Sequence, residues 1–315
     1  MQTGNTGFIF PGQGSQKVGM LSELAEAFAG VQATFDEASN VLGYDLWALV
    51  QAGPEEELAL THITQPAILT ASVAIWRLWL EQGGGEPAIM AGHSLGEYSA
   101  LTCAGVLAFT DAVGLVQKRG QYMQSAVPFG IDAMATIVGL DDDKVIAACN
   151  EARESQEVAA VNFNSPGQVV IAGHAEAVAR ASELCKAAGA KRALPLPVSA
   201  PFHSRLMKPA ADNFAADLAA VSFQAPRVPV LQNFGLETPA NPDVIRNNLV
   251  SQIYNPVPWV DTINRFATAG ISTVMEIGPG RVLSGLNKRI HGEMSAMTVN
   301  DPASLEAALT EVGTA

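Results

Sequence analysis

Short apolar runs alternate with longer amphipathic stretches along much of the chain. The apolar run at residues 8–10 ends at a Pro-Gly turn signal, and a second run at 87–91 leads directly into Gly92. Helical spacing covers residues 21–49, with a break around Gly43, and residues 67–80. Strands that alternate with helices predict a mostly parallel sheet with helices on both faces.

The middle of the chain follows a different order of elements. Strands are predicted over 134–140, 158–163, 168–172 and 192–198, and helices over 141–153 and 175–188. The order β-α-β-β-α-β is typical of a ferredoxin-like unit. We therefore interpret residues 129–199 as a small subdomain inserted into a large α/β domain, which residues 1–128 and 200–315 form. The large domain resumes with a helix over 204–221 and a later strand over 274–277.

Composition narrows the possible classes of protein. Of the 315 residues, 48% are hydrophobic and 16% are charged, which is typical of a globular chain with a large core. The net charge of -13 argues against nucleic acid or an anionic membrane as a partner. No signal-peptide pattern and no apolar run of the roughly 18 residues needed for a membrane span is visible. Three scattered cysteines indicate a reducing compartment, so we expect a cytoplasmic protein.

The motif Gly92-His93-Ser94-Leu95-Gly96 lies between the predicted strand 87–91 and a helix predicted over 97–107. In a strand-turn-helix of this kind, the glycines permit a sharp turn that presents the serine hydroxyl above the sheet. A helix N-terminus also favours developing negative charge. The context favours a nucleophilic Ser94 over the alternative, a glycine-bounded turn with an incidental serine.

A serine hydroxyl needs a base to become a useful nucleophile. The chain has five histidines: His62, His93, His174, His203 and His291. His203 follows Pro201-Phe202 and precedes a predicted helix, where the chain re-enters the large domain. A lone histidine is most often structural, but the presence of Ser94 favours His203 as the catalytic base.

Arg119 lies at helical spacing on an apolar stripe of the helix predicted over 111–125. A guanidinium cannot lose its proton, and its burial without a partner is costly. A carboxylate suits its forked geometry. That carboxylate could belong to an internal Asp or Glu or to a substrate, and the pattern favours neither.

A second glycine-rich turn, Gly12-Gln13-Gly14, follows the first predicted strand. It matches neither G-x-G-x-x-G nor the P-loop, so we expect no nucleotide site. The turn could bring a backbone N–H close to the serine as half of an oxyanion hole. The histidines and cysteines show no metal-ligand spacing.

Several motifs together resemble the malonyl-CoA:acyl carrier protein transacylases. They occur in the same order and cover nearly the whole chain: Gly12-Gln13-Gly14-Ser15-Gln16, Gly92-His93-Ser94-Leu95-Gly96-Glu97-Tyr98, Lys118-Arg119-Gly120, Pro201-Phe202-His203-Ser204 and Gln252-Ile253-Tyr254-Asn255-Pro256-Val257. The resemblance implies a large domain similar to the α/β hydrolases with a ferredoxin-like insertion, in agreement with the pattern of elements.

The resemblance also implies a role for individual residues. It makes Ser94 the nucleophile, His203 its base, and Arg119 the clamp for the malonyl carboxylate. It implies three further sets: an oxyanion hole from the N–H groups of Gln13 and Leu95, a histidine-orienting main-chain carbonyl at Gln252, and pocket residues Asn162, His93 and Phe202. Asn162 would approach the substrate from the small subdomain, and His93 and Phe202 resemble residues of malonyl-selective members. No cofactor or metal is implied.

The implied reaction moves a malonyl group from malonyl-CoA to the phosphopantetheine thiol of acyl carrier protein through a malonyl-serine intermediate, as part of fatty acid biosynthesis. A trans-acting acyltransferase of polyketide synthesis is the alternative. A serine hydrolase is disfavoured, because hydrolases of this type usually place the histidine near the C-terminus and here more than a hundred residues follow His203. A carrier-docking module without activity is disfavoured by the intact set of Ser94, His203 and Arg119.

Carrier recognition requires a local basic surface, since acyl carrier proteins are acidic and so is this chain. Two clusters qualify: Lys191-Arg192, at the edge of the small subdomain, and Lys288-Arg289, at the end of a helix after Gly280. Ordinary solvated charges are the alternative for each. We expect a monomer.

Overall fold

A computed structural model describes residues 2–128, 130–197 and 200–313. The strands are, in chain order, β1 (Gln2–Phe10), β2 (Glu86–Gly92), β3 (Asp132–Val138), β4 (Val158–Ser165), β5 (Gln168–His174), β6 (Arg192–Pro195), β7 (Val230–Leu231), β8 (Thr273–Ile277) and β9 (Ser295–Val299).

Helices connect most of these strands. In chain order they are α1 (Ser22–Ala27), α2 (Ala29–Leu42), α3 (Leu46–Ala52), α4 (Glu55–Leu58), α5 (Thr61–Glu81), α6 (Gly96–Cys103), α7 (Phe109–Ser125), α8 (Asp142–Ala152), α9 (Ala175–Ala187), α10 (Lys208–Ala220), α11 (Pro242–Gln252), α12 (Trp259–Thr268), α13 (Val282–Ile290) and α14 (Pro302–Gly313), with a 3₁₀ turn at Arg205–Met207 before α10.

The larger sheet has the order β7-β2-β1-β8-β9, and all of its neighbouring strands are parallel. Successive side chains of β1 face opposite sides, as the period of a strand requires. Phe8 and Phe10 pack into the core that includes α5 and α7, whereas Ile9 packs into the core that includes α12 and α13. The prediction of a parallel sheet with helices on both faces is confirmed.

The smaller sheet is antiparallel, with the order β4-β5-β3-β6. It follows the predicted β-α-β-β-α-β order from β3 to β6, and it has a core of its own with α8 and α9. The ferredoxin-like unit and the α/β class are thus confirmed. The proposed boundaries at 129 and 199 lie outside the described residues, and the division into two domains stays a prediction.

The smaller sheet contacts the rest of the molecule along β4, one of its edge strands. Phe163 N–H donates to Val257 O at 3.0 Å, and Val257 N–H donates to Val161 O at 2.9 Å. Val257 belongs to the segment between α11 and α12. This pairing places one wall of the smaller sheet beside the end of α11.

Several element boundaries differ from the predictions. The predicted helical region 21–49 is divided at Phe28, whose backbone is extended, as well as at Gly43. The helix predicted over 97–107 ends at Cys103, because Gly105 adopts a φ of 79° and turns the chain. The strand predicted over 192–198 ends at Pro195, which has no N–H to continue the ladder, and Val198 lies outside the described residues.

Two further differences concern helix starts. The helix predicted over 67–80 begins at Thr61, with Pro66 inside it, and the helix predicted over 204–221 begins with the 3₁₀ turn.

Among the helices of the described residues, none has the length and apolar character required to cross a membrane.

Candidate active site

Ser94 occupies a strained turn between β2 and α6. Its φ is 52°, a left-handed backbone conformation that residues other than glycine rarely adopt. Glycine is required on both sides: a Cβ at Gly92 would lie 1.9 Å from the carbonyl carbon of Gly96, and a Cβ at Gly96 would lie 2.0 Å from Phe10 O. The two glycines therefore let the turn close tightly against the end of β1, with Ser94 at its tip.

His203 lies within hydrogen-bond distance of the serine. Its Nε2 is 2.7 Å from Ser94 Oγ, and its Nδ1 is 2.9 Å from the main-chain oxygen of Gln252. A carbonyl oxygen only accepts, so Nδ1 carries the proton and Nε2 presents its lone pair to the Ser94 hydroxyl. His203 itself has a φ of 62°, so both members of the pair are held in unusual backbone conformations.

The surroundings keep His203 neutral. Burial, as the main cause, and the positive charge of Arg119 lower the pKa of His203 to about 3. His203 is 4% exposed. At neutral pH the imidazole is therefore uncharged, with its one proton on Nδ1, and Nε2 is able to accept a proton.

Arg119 projects from α7 into the same site and is 1% exposed. Its Nη2 donates to Ser94 Oγ at 3.2 Å and to Gln252 Oε1 at 3.0 Å, and its Nη1 donates to Gln65 Oε1 at 2.9 Å. The guanidinium carbon lies 5.2 Å from the centre of the Tyr98 ring. Of the salt bridges between described residues, none includes Arg119. Its direct partners are neutral oxygens, so the guanidinium is held in place without a carboxylate on its fork.

These residues share one cavity of about 260 Å³. Of the residues predicted for the site, those that line it are Gln13, His93, Ser94, Leu95, Arg119, Asn162, Phe202 and His203. Gln252 lies behind this layer, in contact with Ser94, Arg119 and His203. A larger groove of about 1060 Å³ along β3, β6 and α9 contains none of these residues, and we place the chemistry in the smaller cavity.

The residues predicted to supply the N–H groups of the oxyanion hole both have a place in the cavity. Gln13 and Leu95 both line the cavity beside Ser94. A Cβ at Gly12 would lie 2.6 Å from His93 O, so a glycine there lets the loop that carries Gln13 approach the Ser94 turn closely. Leu95 immediately precedes α6, where free N–H groups point outward.

The other histidines have different surroundings. His93 Nε2 contacts Asn164 Oδ1 at 2.9 Å, and burial lowers the pKa of His93. His174 accepts a hydrogen bond from Glu157 N–H in the smaller sheet, and His62 lies 3.4 Å from Gln124 Oε1. All five histidines lie in the described part of the chain, and among them only His203 forms a hydrogen bond with the serine hydroxyl.

Four polar residues of the site were not predicted to belong to it: Gln65, Asn164, Asn233 and Glu97. Gln65 and Asn164 contact Arg119 and His93. Asn233 accepts from Ser94 N–H at 2.9 Å through Oδ1, and it donates to Gly92 O at 2.7 Å. Of the four, only Glu97 had a signal in the sequence, since it belongs to the motif that contains Ser94.

A serine and a neutral histidine, joined by a hydrogen bond at a strand-turn-helix of a parallel sheet, define the class of enzymes that use a serine nucleophile. The model of the acyl transferase domain family matches residues 7–306. The chain belongs to this family.

Relatives in the family share most of their length with this chain. The malonyl CoA-acyl carrier protein transacylase of Escherichia coli (strain K12) is 60% identical over 302 residues, which cover 96% of this chain and 98% of the relative. The protein of the same name from Bacillus subtilis (strain 168) is 45% identical over 303 residues, which cover 96% and 95%.

Two solved structures are also very similar. An acyl carrier protein S-malonyltransferase from Vibrio cholerae has a TM-score of 0.95 and 55% identity, with 96% of this chain and 99% of the other covered. A malonyl-transacylase in complex with its type II PKS acyl-carrier protein has a TM-score of 0.96 and 58% identity, with 98% and 99% covered.

Proposed function

We propose that this protein transfers a malonyl group from malonyl-CoA to the phosphopantetheine thiol of an acyl carrier protein. The observation that carries the proposal is the position of Arg119: this buried cation, whose fork meets no carboxylate of the described residues, lies 3.2 Å from the hydroxyl of Ser94. An acyl group that ends in a carboxylate supplies the anion that the guanidinium lacks, while its carbonyl lies beside the Ser94 hydroxyl.

In the first half of the reaction, Ser94 Oγ attacks the thioester carbonyl as His203 Nε2 takes the hydroxyl proton. Gln252 O accepts a hydrogen bond from His203 Nδ1–H and fixes the ring orientation. The N–H groups of Gln13 and Leu95 stabilise the oxyanion of the tetrahedral intermediate. The C–S bond then breaks, the proton on His203 passes to the sulfur of CoA, and a malonyl ester of Ser94 remains.

In the second half, the carrier thiol enters the vacated site. His203 accepts the thiol proton, the sulfur attacks the ester carbonyl, and the same N–H groups stabilise the second tetrahedral intermediate. When the C–O bond breaks, the proton returns to Ser94 Oγ. This sequence requires ping-pong kinetics.

We place the reaction in fatty acid biosynthesis, as expected from the sequence. The malonyl transacylases among the relatives support this assignment. Polyketide synthesis is the second candidate, favoured by the 58% identity to a transacylase whose partner is a type II PKS acyl-carrier protein. Rates with carriers of the two kinds, measured under identical conditions, decide between them.

Mass spectrometry of the intact protein after brief exposure to malonyl-CoA tests the covalent step. We expect the wild-type chain to gain one malonyl group on Ser94 and Ser94→Ala to gain none. Ser99→Ala is a matched control, because Ser99 is a buried serine of α6, the helix that follows Ser94, and does not line the cavity. An adduct on Ser94→Ala, or a wild-type chain that turns over without an acyl-serine, contradicts the proposal.

Carrier docking on the two basic pairs is supported by their proximity. In the smaller sheet Arg192 pairs with Val138, which also pairs with Gln168. Gln168 Oε1 accepts from Arg289 at 2.6 Å, so the end of α13 lies beside the same end of this sheet. Lys191, Arg192, Lys288 and Arg289 are exposed. We define the surface formed by these four residues as the basic patch.

Reversal of one charge in each pair tests this surface. We expect Arg192→Glu/Lys288→Glu to raise the KM for the carrier, because attraction between the basic patch and an acidic carrier is lost. The rate of Ser94 acylation by malonyl-CoA serves as the internal control and should not change. The difference between variant and wild type should shrink at high salt. An unchanged KM for the carrier would exclude the basic patch as the docking surface.

The remaining expectations stay predictions of the sequence: a monomer in the cytoplasm that needs neither cofactor nor metal.

A further inference from the structure

Glu97 is a fully buried carboxylate directly behind the Ser94 turn. It lies in the first turn of α6, is 0% exposed, and does not line the cavity. Its Oε1 accepts from Gln232 Nε2 at 2.9 Å, and its Oε2 accepts from Asn233 N–H at 2.8 Å and from Gln252 Nε2 at 3.0 Å. Three N–H groups therefore converge on two oxygens.

This set of partners fits the ionised carboxylate. A protonated carboxyl group needs an acceptor for its O–H, and the three groups directed at Glu97 are donors. Hydrogen bonds of this kind to an ionised oxygen are stronger than neutral ones. Burial raises the pKa of Glu97, whereas the three hydrogen bonds and the positive charge of Arg119 oppose that rise and favour the ionised form. The negative charge and the buried guanidinium compensate each other without direct contact.

The connection between the two charges is the side chain of Gln252. Its Nε2 donates to Glu97 Oε2 and, at 2.9 Å, to Ser94 O. Glu97 Oε2 and Ser94 O only accept hydrogen bonds. If the Gln252 amide were rotated by about 180°, its oxygen would face these two oxygens and repel them. The amide oxygen of Gln252 is therefore obliged to face Arg119, where it accepts from Nη2 at 3.0 Å. Glu97 thus determines which atom of Gln252 the guanidinium meets.

A second connection runs from Glu97 to the serine itself. The N–H of Asn233 donates to Glu97, while the side chain of Asn233 accepts from Ser94 N–H and donates to Gly92 O. This side chain forms hydrogen bonds with the backbone at the start and at the tip of the strained turn. Glu97 is therefore connected by hydrogen bonds to the guanidinium of Arg119 through Gln252, and to the backbone of Ser94 through Asn233.

We infer that Glu97 is a positioning residue for recognition of the substrate carboxylate, acting through the Gln252 amide on the guanidinium of Arg119. The inference rests on the proposed function. A carboxylate placed directly on the fork of Arg119 would compete with the substrate's own carboxylate. A carboxylate one amide away compensates the buried charge and leaves the cavity side of the fork without a competing anion.

The variant Glu97→Gln tests this role, with the rates of Ser94 acylation by malonyl-CoA and by acetyl-CoA as the readout. The neutral amide no longer fixes the orientation of Gln252, so Arg119 loses its defined partner. We expect the malonyl-to-acetyl rate ratio to fall about tenfold or more, as for the loss of a hydrogen bond to a charged group. Acetylation should fall less, because acetyl has no carboxylate to place.

Glu276→Gln is the matched control. Like Glu97, Glu276 is a fully buried carboxylate. It lies in β8 of the larger sheet and accepts from the N–H groups of Leu283 and Ser284 at the start of α13. Its replacement should lower the midpoint of thermal unfolding and leave the malonyl-to-acetyl ratio unchanged. A ratio that falls equally in both variants would show a general effect of lost stability and overturn the inference.

The exchange variant Glu97→Gln/Gln252→Glu keeps the net charge and a carboxylate–amide pair, and it provides the test if Glu97→Gln does not fold. It moves the carboxylate next to Arg119, while the main-chain oxygen at 252 still serves His203. We expect the malonyl preference to be lost here as well, because the fork is now occupied. A wild-type ratio in the exchange variant, or in folded Glu97→Gln, would overturn the inference. A wild-type chain that malonyl-CoA does not acylate would instead overturn the proposed function.

Discussion

The charge of Arg119 should determine which acyl group the site accepts, and Arg119→Ala measures its contribution. Arg119 is 1% exposed, and its guanidinium forms hydrogen bonds with three side chains. Removal of one partner of a buried ion pair typically costs about 3–5 kcal/mol. Since each 1.36 kcal/mol is a tenfold change in rate, malonylation of Ser94 should slow by roughly two to three and a half powers of ten.

Acetyl-CoA provides the comparison within the same protein. An acetyl group makes no ion pair, so it loses only the contact between Arg119 and Ser94 Oγ. We expect acetylation to slow far less than malonylation, and the two rates to converge. Single-turnover acylation, followed by quenching and mass spectrometry, measures both rates without contribution from the carrier step.

Two further measurements separate this effect from loss of structure. Without Arg119, Gln65 Oε1 and Gln252 Oε1 lose a donor, which costs about 1–3 kcal/mol for each buried acceptor, so the variant must be assayed below its measured unfolding temperature. Lys118→Ala removes the neighbouring cation of α7, whose side chain is 51% exposed and paired with Asp217, and should leave the ratio unchanged. A malonyl-to-acetyl ratio that Arg119→Ala does not alter would refute the clamp.

Three other predictions follow from the site. Because the pKa of His203 is lowered to about 3, the acylation rate of the wild type should stay constant as the pH falls through 6.5, and a loss of rate near 6.5 would contradict this. Arg119→Ala should move the acid limb of the pH–rate profile to higher pH, because a charge that repels the imidazolium is removed. Phe202→Ser should relax discrimination against methylmalonyl-CoA by about 10- to 200-fold at most, the value of one methyl group, and unaltered specificity would place the pocket wall elsewhere. Gly96→Ala should lower the free energy of unfolding by about 3 kcal/mol, the upper end for overpacking, because the new Cβ would lie 2.0 Å from Phe10 O. A urea unfolding curve close to that of the wild type would refute this close approach.

The parts of the fold that the sequence predicted are those with local signals. The strand, turn and helix around Ser94 could be predicted because two glycines and an apolar run are adjacent in the chain. The β-α-β-β-α-β order was visible because each of its elements has its own periodicity. By contrast, β7 is only two residues long and pairs with β2 far away in sequence, so no local pattern indicates it.

The support of the site could not be predicted for the same reason. Asn233 and Gln252 are 139 and 158 residues from Ser94, and an amide side chain has no periodic pattern. The stripe of α7 correctly indicated a buried Arg119, but it offered only carboxylates as partners. Two neutral amide oxygens hold the guanidinium instead, an arrangement that pairwise charge reasoning does not consider.

The neutral carbonyl behind His203 is consistent with transfer between thiols. A carboxylate in its place would stabilise the imidazolium and raise the pKa of His203, which helps when the leaving group is a poor one such as an amine. A thiol has a pKa near 8.5, so a thiolate leaves with little assistance, and each attacking thiol loses its proton readily. The same low pKa keeps His203 neutral beside the fixed charge of Arg119. A carboxylate behind the ring would add a second anion to the cavity and compete with the substrate for that charge. Gln252 avoids this conflict, because its main-chain oxygen orients the histidine while its side-chain oxygen orients the arginine, and neither atom carries a net charge.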